Sequence, residues 1–172
     1  MAGLMLLLGS SLGAARGFAE APPKGVDLNG TWTLNAALSD DPRKILAAER
    51  AKRRHRMMAR DQGDEIEMPA QLTVIHNADR FSISSPAPSG EVRKSEYRAG
   101  AKSVVSVPTG VADRQVGWKG GTFVISTRAV EGVNREERYS LDKDGRLLAV
   151  TETRGEDIPK REIRRVYDRA AR

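Results

Sequence analysis

Few residues in this 172-residue chain could do chemistry, and their spacing argues against catalysis. There are two histidines, His55 and His76, and no cysteine. Without cysteine there is no disulfide, no thiolate nucleophile and no cysteine-ligated zinc. Neither histidine lies in a His-x-x-x-His or His-x-Glu spacing that would aim two ligands at one ion. His55 reads as solvated or packed by its stem in a basic helix, and His76, ending a strand beside a turn, reads the same way. Asp142-Lys143-Asp144-Gly145 opens like a calcium loop but lacks the later oxygen ligands, so it reads as a hairpin turn. Asp61, Asp64, Glu65 and Glu67 read as a solvated loop rather than an acid–base pair, without the apolar surroundings that would lift a carboxyl into the range of a general acid. No Gly-x-Ser-x-Gly elbow occurs, and Gly117, Gly120 and Gly121 mark a hairpin rather than a phosphate cradle. The expectation is a protein that is not an enzyme and takes no metal or cofactor.

What remains is charge. Lys and Arg number 29 against 23 Asp and Glu, a formal net charge of +6. The excess is concentrated at Arg50, Lys52, Arg53, Arg54, Arg56 and Arg60, flanked only by Glu49 and Asp61. Like charges at that density repel and weaken a helix unless an anion offsets them. Arg50, Arg53, Arg54 and Arg56 are therefore candidates to contact an anionic lipid or envelope surface, the alternative being a plain solvated face. Aromatic residues make up only 5%, which disfavours nucleic acid because few bases could be stacked. Further on, alternate positions hold Val133, Arg135, Glu137, Tyr139 and Leu141, and Ile163, Arg165 and Tyr167 share a face that Arg169 continues. Apolar and charged residues on one strand face suit either a barrel with a partly polar interior or charges at an open, watery rim.

The elements carrying these residues follow from pattern. Leu4 to Leu12 is apolar or small and is followed by Gly17-Phe18-Ala19. That is the apolar region and small-x-small site of a secretory signal peptide, residues 1–19, cut between Ala19 and Glu20. The apolar run is far short of the ~20 residues that span a bilayer. No Lys or Arg precedes it, so an apolar helix packed on the domain is the alternative. An exported chain without cysteine points to a bacterial periplasmic or secreted protein, since small secreted animal domains usually rely on disulfides. Residues 20–27 form a proline-rich flexible leader. Asn29–Asn35 reads as a strand. Ser39-Asp40-Asp41 offers helix N-caps and Pro42 a first helical position, while Ile45, Ala48, His55 and Met58 recur at helical spacing. This predicts an inserted helix over about 41–62, ending near Gly63, with a thin, alanine-rich apolar side that docks loosely. Everything later reads as strands: Gln71–His76, Arg80–Ser84, Glu91–Tyr97, Ser103–Val107, Gln115–Lys119, Thr122–Arg128, Val133–Leu141, Arg146–Thr153 and Glu162–Asp168. Short turns and no helical crossovers make an antiparallel meander, not a parallel α/β sheet. The predicted fold is all-β, about 8–10 strands closing or half-closing into a barrel, with one basic helix after the first strand, in a single domain over residues 28–169.

The order of several short motifs carries a resemblance. Gly30-Thr31-Trp32 on the first strand, with Arg165 or Arg169 on the last, resembles the lipocalin (calycin) superfamily, where a Gly-x-Trp packs against a last-strand arginine at the closed end. The layout is more similar still to bacterial secreted lipocalin-like proteins of unassigned function. The matching stretches are Asn29-Gly30-Thr31-Trp32-Thr33-Leu34-Asn35 leading to Ser39-Asp40-Asp41-Pro42, then Val116 to Phe123. Tyr139-Ser140-Leu141 with Asp144-Gly145-Arg146-Leu147, and Arg165-Val166-Tyr167-Asp168-Arg169, complete them. The Thr-Asp-Tyr turn of lipocalins has no counterpart. The resemblance implies a stack of Trp32 with Arg165 or Arg169, worth ~0.5–2 kcal/mol, and a helix lying as a lid over the open mouth. It implies a non-enzymatic carrier or sensor. An apolar or amphiphilic small molecule would touch Trp118, Phe123, Tyr139 and Tyr167, along with Trp32 and Phe81, and Arg135 or Arg165 would meet its headgroup. The reading from another class is a pocketless interaction module that holds its basic helix against an anionic envelope component or a protein partner.

Overall fold

A computed structural model of the chain describes residues 17–53, 68–87, 89–108, 110–130, 132–155 and 159–171. In chain order the elements are β1 (Gly30–Leu34), α1 (Pro42–Arg53), β2 (Gln71–His76), β3 (Arg80–Pro86), β4 (Val92–Arg98), β5 (Lys102–Val107), β6 (Gly110–Lys119), β7 (Thr122–Ala129), β8 (Val133–Leu141), β9 (Leu147–Gly155) and β10 (Arg161–Arg169). All ten strands join one antiparallel sheet in the order β4-β3-β2-β1-β10-β9-β8-β7-β6-β5. The all-β meander with one helix after the first strand is the fold the pattern predicts, curled into a half-barrel.

The seam of the curl lies between β4 and β5, consecutive in the chain but at opposite sheet edges. At one end it is stitched by backbone bonds. Gly100 N–H donates to Val116 O at 2.9 Å and Val116 N–H to Ala101 O at 3.1 Å. The next stretch of the β6 edge is taken by the N-terminal segment: Ala19 N–H donates to Trp118 O at 2.8 Å and Trp118 N–H to Ala19 O at 2.9 Å. Gly117 makes this crossing possible. Its φ is +151°, and a Cβ there would lie 2.7 Å from Phe18 Cβ and 2.8 Å from Ala19 O. Residues 20–27 include a turn in which Val26 N–H bonds Pro23 O, and Val26 packs on the core.

The polar run after β1 climbs along β10. Asp40 exchanges backbone bonds with the Arg164 region, its N–H donating to Arg164 O and its carboxylate accepting Arg164 N–H at 2.7 Å. Ser39 Oγ accepts Val166 N–H at 2.9 Å. Asp41 is the N-cap of α1, its Oδ1 accepting Arg43 N–H at 2.9 Å, and Pro42 takes the first helical position, where no N–H is needed. The far part of the expected helix, to about 62, lies outside the described residues. Three strands begin earlier than expected: β5 at Lys102 rather than Ser103, β6 at Gly110 rather than Gln115, and β10 at Arg161 rather than Glu162. Asp113 and Arg114 hide the start of β6, because charged residues read as loop even where Val111 and Ala112 already pair with β5.

Candidate ligand-binding face

Residues directly opposite in paired strands share a sheet face, so the registers sort the inner wall into levels. At the closed end Trp32 is fully buried and the guanidinium carbon of Arg169 lies 4.4 Å from its ring centroid. Trp32 Nε1 donates to Leu28 O at 3.1 Å and Arg169 Nη1 to Asn29 O at 2.8 Å. Gly30 leaves room for this arrangement, with φ +141° and only 2.9 Å between a would-be Cβ and Arg169 Nη1.

Beside that floor sits an aromatic stack. Phe81 and Phe123 are parallel, with centroids 3.8 Å apart, and Trp118 meets both edge-on at 5.9 and 5.2 Å. Tyr139 lies 5.8 Å from Phe81. His76 belongs to this cluster, 5.3 Å from Trp118, with only 5% of its side chain exposed, so the expectation of a solvated or stem-packed strand-end histidine is corrected. Its Nε2 accepts Leu28 N–H at 2.9 Å, which requires the ring to be neutral there, and burial holds its pKa below the ordinary value despite Asp27 pulling the other way. Leu72, Val74 and His76 alternate along β2, so the period-two pattern carried this signal.

Three levels of β6–β10 stand between floor and mouth. The lowest runs Phe123, Tyr139, Ala149, Arg165, with Trp118 opposite Phe123. The next runs Ile125, Glu137, Thr151, Ile163. The highest runs Arg114, Thr127, Arg135, Thr153, Arg161, continued by Ser103 on β5. Arg165 is 7% exposed and its Nη2 donates to Thr151 Oγ1 at 2.5 Å. Tyr167, two residues on and on the same face, is fully buried, and its hydroxyl has no hydrogen-bond partner among the described residues. Burial pushes the Tyr167 pKa up while Arg165 pulls it back, so the hydroxyl stays protonated and able to donate. Tyr139 donates to Glu137 Oε2 at 2.9 Å, and Arg135 Nε donates to Glu137 Oε1 at 3.0 Å. Burial first, then the Glu137 charge, pushes the Tyr139 pKa well above its ordinary value. At the mouth Glu49 of α1 takes both donors of Arg161, Nε at 3.1 Å and Nη2 at 2.6 Å.

The structure thus brings Trp118, Phe123, Arg135, Tyr139, Arg165 and Tyr167 onto one inner face, whereas Trp32 pairs with Arg169 and not with Arg165. Arg50 and Arg53 lie on α1, with side chains outside the described residues, and Arg54 and Arg56 lie outside the described residues altogether. Arg114 and Arg161 escaped the sequence reading because the two strands holding them were started too late. A concavity of about 570 Å³ on β5–β7 is bordered by Lys102, Val104, Asp113, Gln115, Ser126 and Arg128, and also by Ser103 and Arg114.

No family model matches the chain, and no curated protein does. Solved structures do match. The "REP1-NXSQ fatty acid transporter" superposes with a TM-score of 0.55 at 14% identity, over 85% of this chain and 98% of that one. Lipid binding protein 8 of Caenorhabditis elegans gives 0.56 at 16% identity, over 85% and 99%. The zebrafish ileal bile acid-binding protein, complexed with cholic acid, gives 0.52 at 15% identity, over 83% and 98%. The chain therefore shares the curled, antiparallel β-barrel-like fold of these structures. At these identities the likeness establishes the fold alone.

Proposed function

We propose that this protein is a non-enzymatic binder or carrier of an apolar or anionic amphiphilic small molecule in the bacterial envelope. The observation that carries the reading is the inner face itself: a buried arginine, Arg165, level with a stack of aromatic rings, and beside it a buried tyrosine hydroxyl with no partner among the described residues. A buried unmade hydrogen bond costs about 1–3 kcal/mol, which an acidic headgroup at Tyr167 and Arg165 recovers. Trp118, Phe123 and Tyr139 supply the apolar contact, and Arg135 the polar wall above. Support also comes from the neighbours' own descriptions, a fatty acid transporter, a lipid binding protein and a bile acid-binding protein, all of this fold. Tyrosine pKa values raised by burial suit groups that donate hydrogen bonds and do not shuttle protons.

Envelope placement rests on the signal-peptide pattern of residues 1–19. Cutting after Ala19 would remove its two backbone bonds to Trp118, so the intact mass of exported protein reports both processing and the state of the seam. The functional test is native mass spectrometry of protein purified gently from the periplasm, followed by organic extraction. A discrete bound lipid or small acid, lost in Arg165→Gln without unfolding, supports the reading. A clean unliganded mass, unchanged across a panel of fatty acids, bile acids and lysolipids, overturns it.

A further inference from the structure

The highest level of the inner wall is not needed to hold a single headgroup at Arg165. Across six neighbouring strands, hydroxyl and guanidinium alternate in register: Ser103, Arg114, Thr127, Arg135, Thr153, Arg161. Register puts all six on the face that Trp118 and Phe123 share, and Arg114 Nε donating to Thr127 Oγ1 at 3.3 Å ties the row together locally. Thr153 is 2% exposed, and its Oγ1 has no hydrogen-bond partner among the described residues. The chain already demonstrates what this row recognises, because two of its three arginines hold carboxylates of the protein's own. Arg161 grips Glu49 with two donors, and Arg135 holds Glu137. For Arg114, among the described residues, the hydrogen bond is to a hydroxyl and no carboxylate is bonded to it. An isolated positive charge on a half-buried wall attracts an anion more strongly than one in water does.

We propose that Arg114, with Ser103 and Thr127, is a second acid-binding site, and that the ligand is a dianionic amphiphile spanning from Arg165 to this row. The proposal rests on Arg165 and Tyr167 being the deep pole of a ligand site. Arg165 and Arg161 are four residues apart on β10, so the two levels are separated by about 13 Å along the strand, and Arg114 stands a further four strands across the sheet from β10. That separation selects an elongated molecule with acidic groups at both ends over one with a single headgroup.

The test titrates dodecanoate and dodecanedioate into the full protein at one low salt concentration and reads intrinsic tryptophan fluorescence and heat. Wild type is expected to bind the diacid about ten-fold tighter than the monoacid, the worth of one added charge-assisted hydrogen bond. Arg114→Gln should erase that preference and leave monoacid affinity within about two-fold, whereas Arg114→Lys should keep most of it. Arg165→Gln should weaken both acids. Urea midpoints of the variants guard against a folding defect. Equal affinity for the two acids in wild type, or an Arg114→Gln loss shared equally by both, overturns the second site and leaves the carrier reading standing. Binding of neither acid overturns both.

Discussion

Replacing Gly30 with alanine probes the closed end most directly. The backbone there has φ +141°, which side-chain-bearing residues rarely adopt, and the new Cβ would meet Arg169 Nη1 at 2.9 Å. That atom is the tip of a flexible side chain, so the guanidinium gives way before the sheet does. Its displacement removes the stack at 4.4 Å on Trp32 and the 2.8 Å bond to Asn29 O. With Trp32 buried but Arg169 exposed, the stack is worth about 1 kcal/mol and the bond about 1 kcal/mol. The unfavourable φ adds about 1–2 kcal/mol. Gly30→Ala should therefore cost about 3–4 kcal/mol and Arg169→Ala about 2 kcal/mol. Once Arg169 is truncated the added methyl has little to collide with, so the double variant should cost no more than Gly30→Ala alone, about 2 kcal/mol short of additivity. Urea unfolding of the four proteins, compared at a common slope, measures all three numbers. Strict additivity would mean that the methyl does not act through the guanidinium, and the account of Gly30 as space-maker for the Trp32–Arg169 stack would be wrong.

Other outcomes follow from single groups. Tyr167→Phe should raise the urea stability of the unliganded protein by about 1–3 kcal/mol, because it removes a buried hydroxyl that bonds to no described residue, yet weaken a carboxylate amphiphile about ten-fold by calorimetry; a stability loss would place a protein partner on that hydroxyl. His76 is held neutral by burial below its ordinary 6.5, so the unfolded chain takes up the proton first. Stability should be full above that pH and fall as the medium is acidified below it, more steeply for wild type than for His76→Gln; parallel slopes would show that the ring is not buried neutral. Glu49→Gln trades a two-donor ion pair for a neutral contact, and hydrogen exchange across Pro42–Arg53 should quicken about ten-fold while β10 is unchanged; no change would detach α1 from Arg161.

The fold was legible because its punctuation is local. Lys119-Gly120-Gly121, Asp142 to Gly145 and the absence of crossovers fix a meander whatever the strand interiors contain, and all ten strands were placed, all but β6 within two residues of their bounds. Boundaries failed where charge sits inside a strand. Arg114 and Arg161 looked like loop residues, yet they are inner-wall positions whose register is set by long pairings, Arg114 with Thr127 and Arg161 with Thr153. The choice between Arg165 and Arg169 as the partner of Trp32 was equally invisible: both share a face, and only the pairing Trp32 with Arg169 decides it. His76 needed the knowledge that β2 packs its alternate residues against the Phe81 and Trp118 rings.

Charge on both faces of β8 raises the question of what keeps its register, since Asn134, Glu136 and Arg138 point outward while Arg135, Glu137 and Tyr139 point inward. A slip of one residue would exchange the two sets. It would drive Arg138 into the aromatic stack and expel Tyr139, whose ring packs 5.8 Å from Phe81. It would also break the outer row, where Glu136, Glu152 and Glu162 stand directly opposite one another across three strands. Like charges so placed repel, and Arg138 offsets them at 2.8 Å from Glu162 and 3.7 Å from Glu152, helped by Lys160 at 2.9 Å from Glu152. The outer carboxylates are therefore partly offset in the one register that also buries Tyr139. On the inner wall Arg114, among the described residues, bonds a hydroxyl and no carboxylate, and on the proposed reading that charge favours an anion on the inside of the sheet.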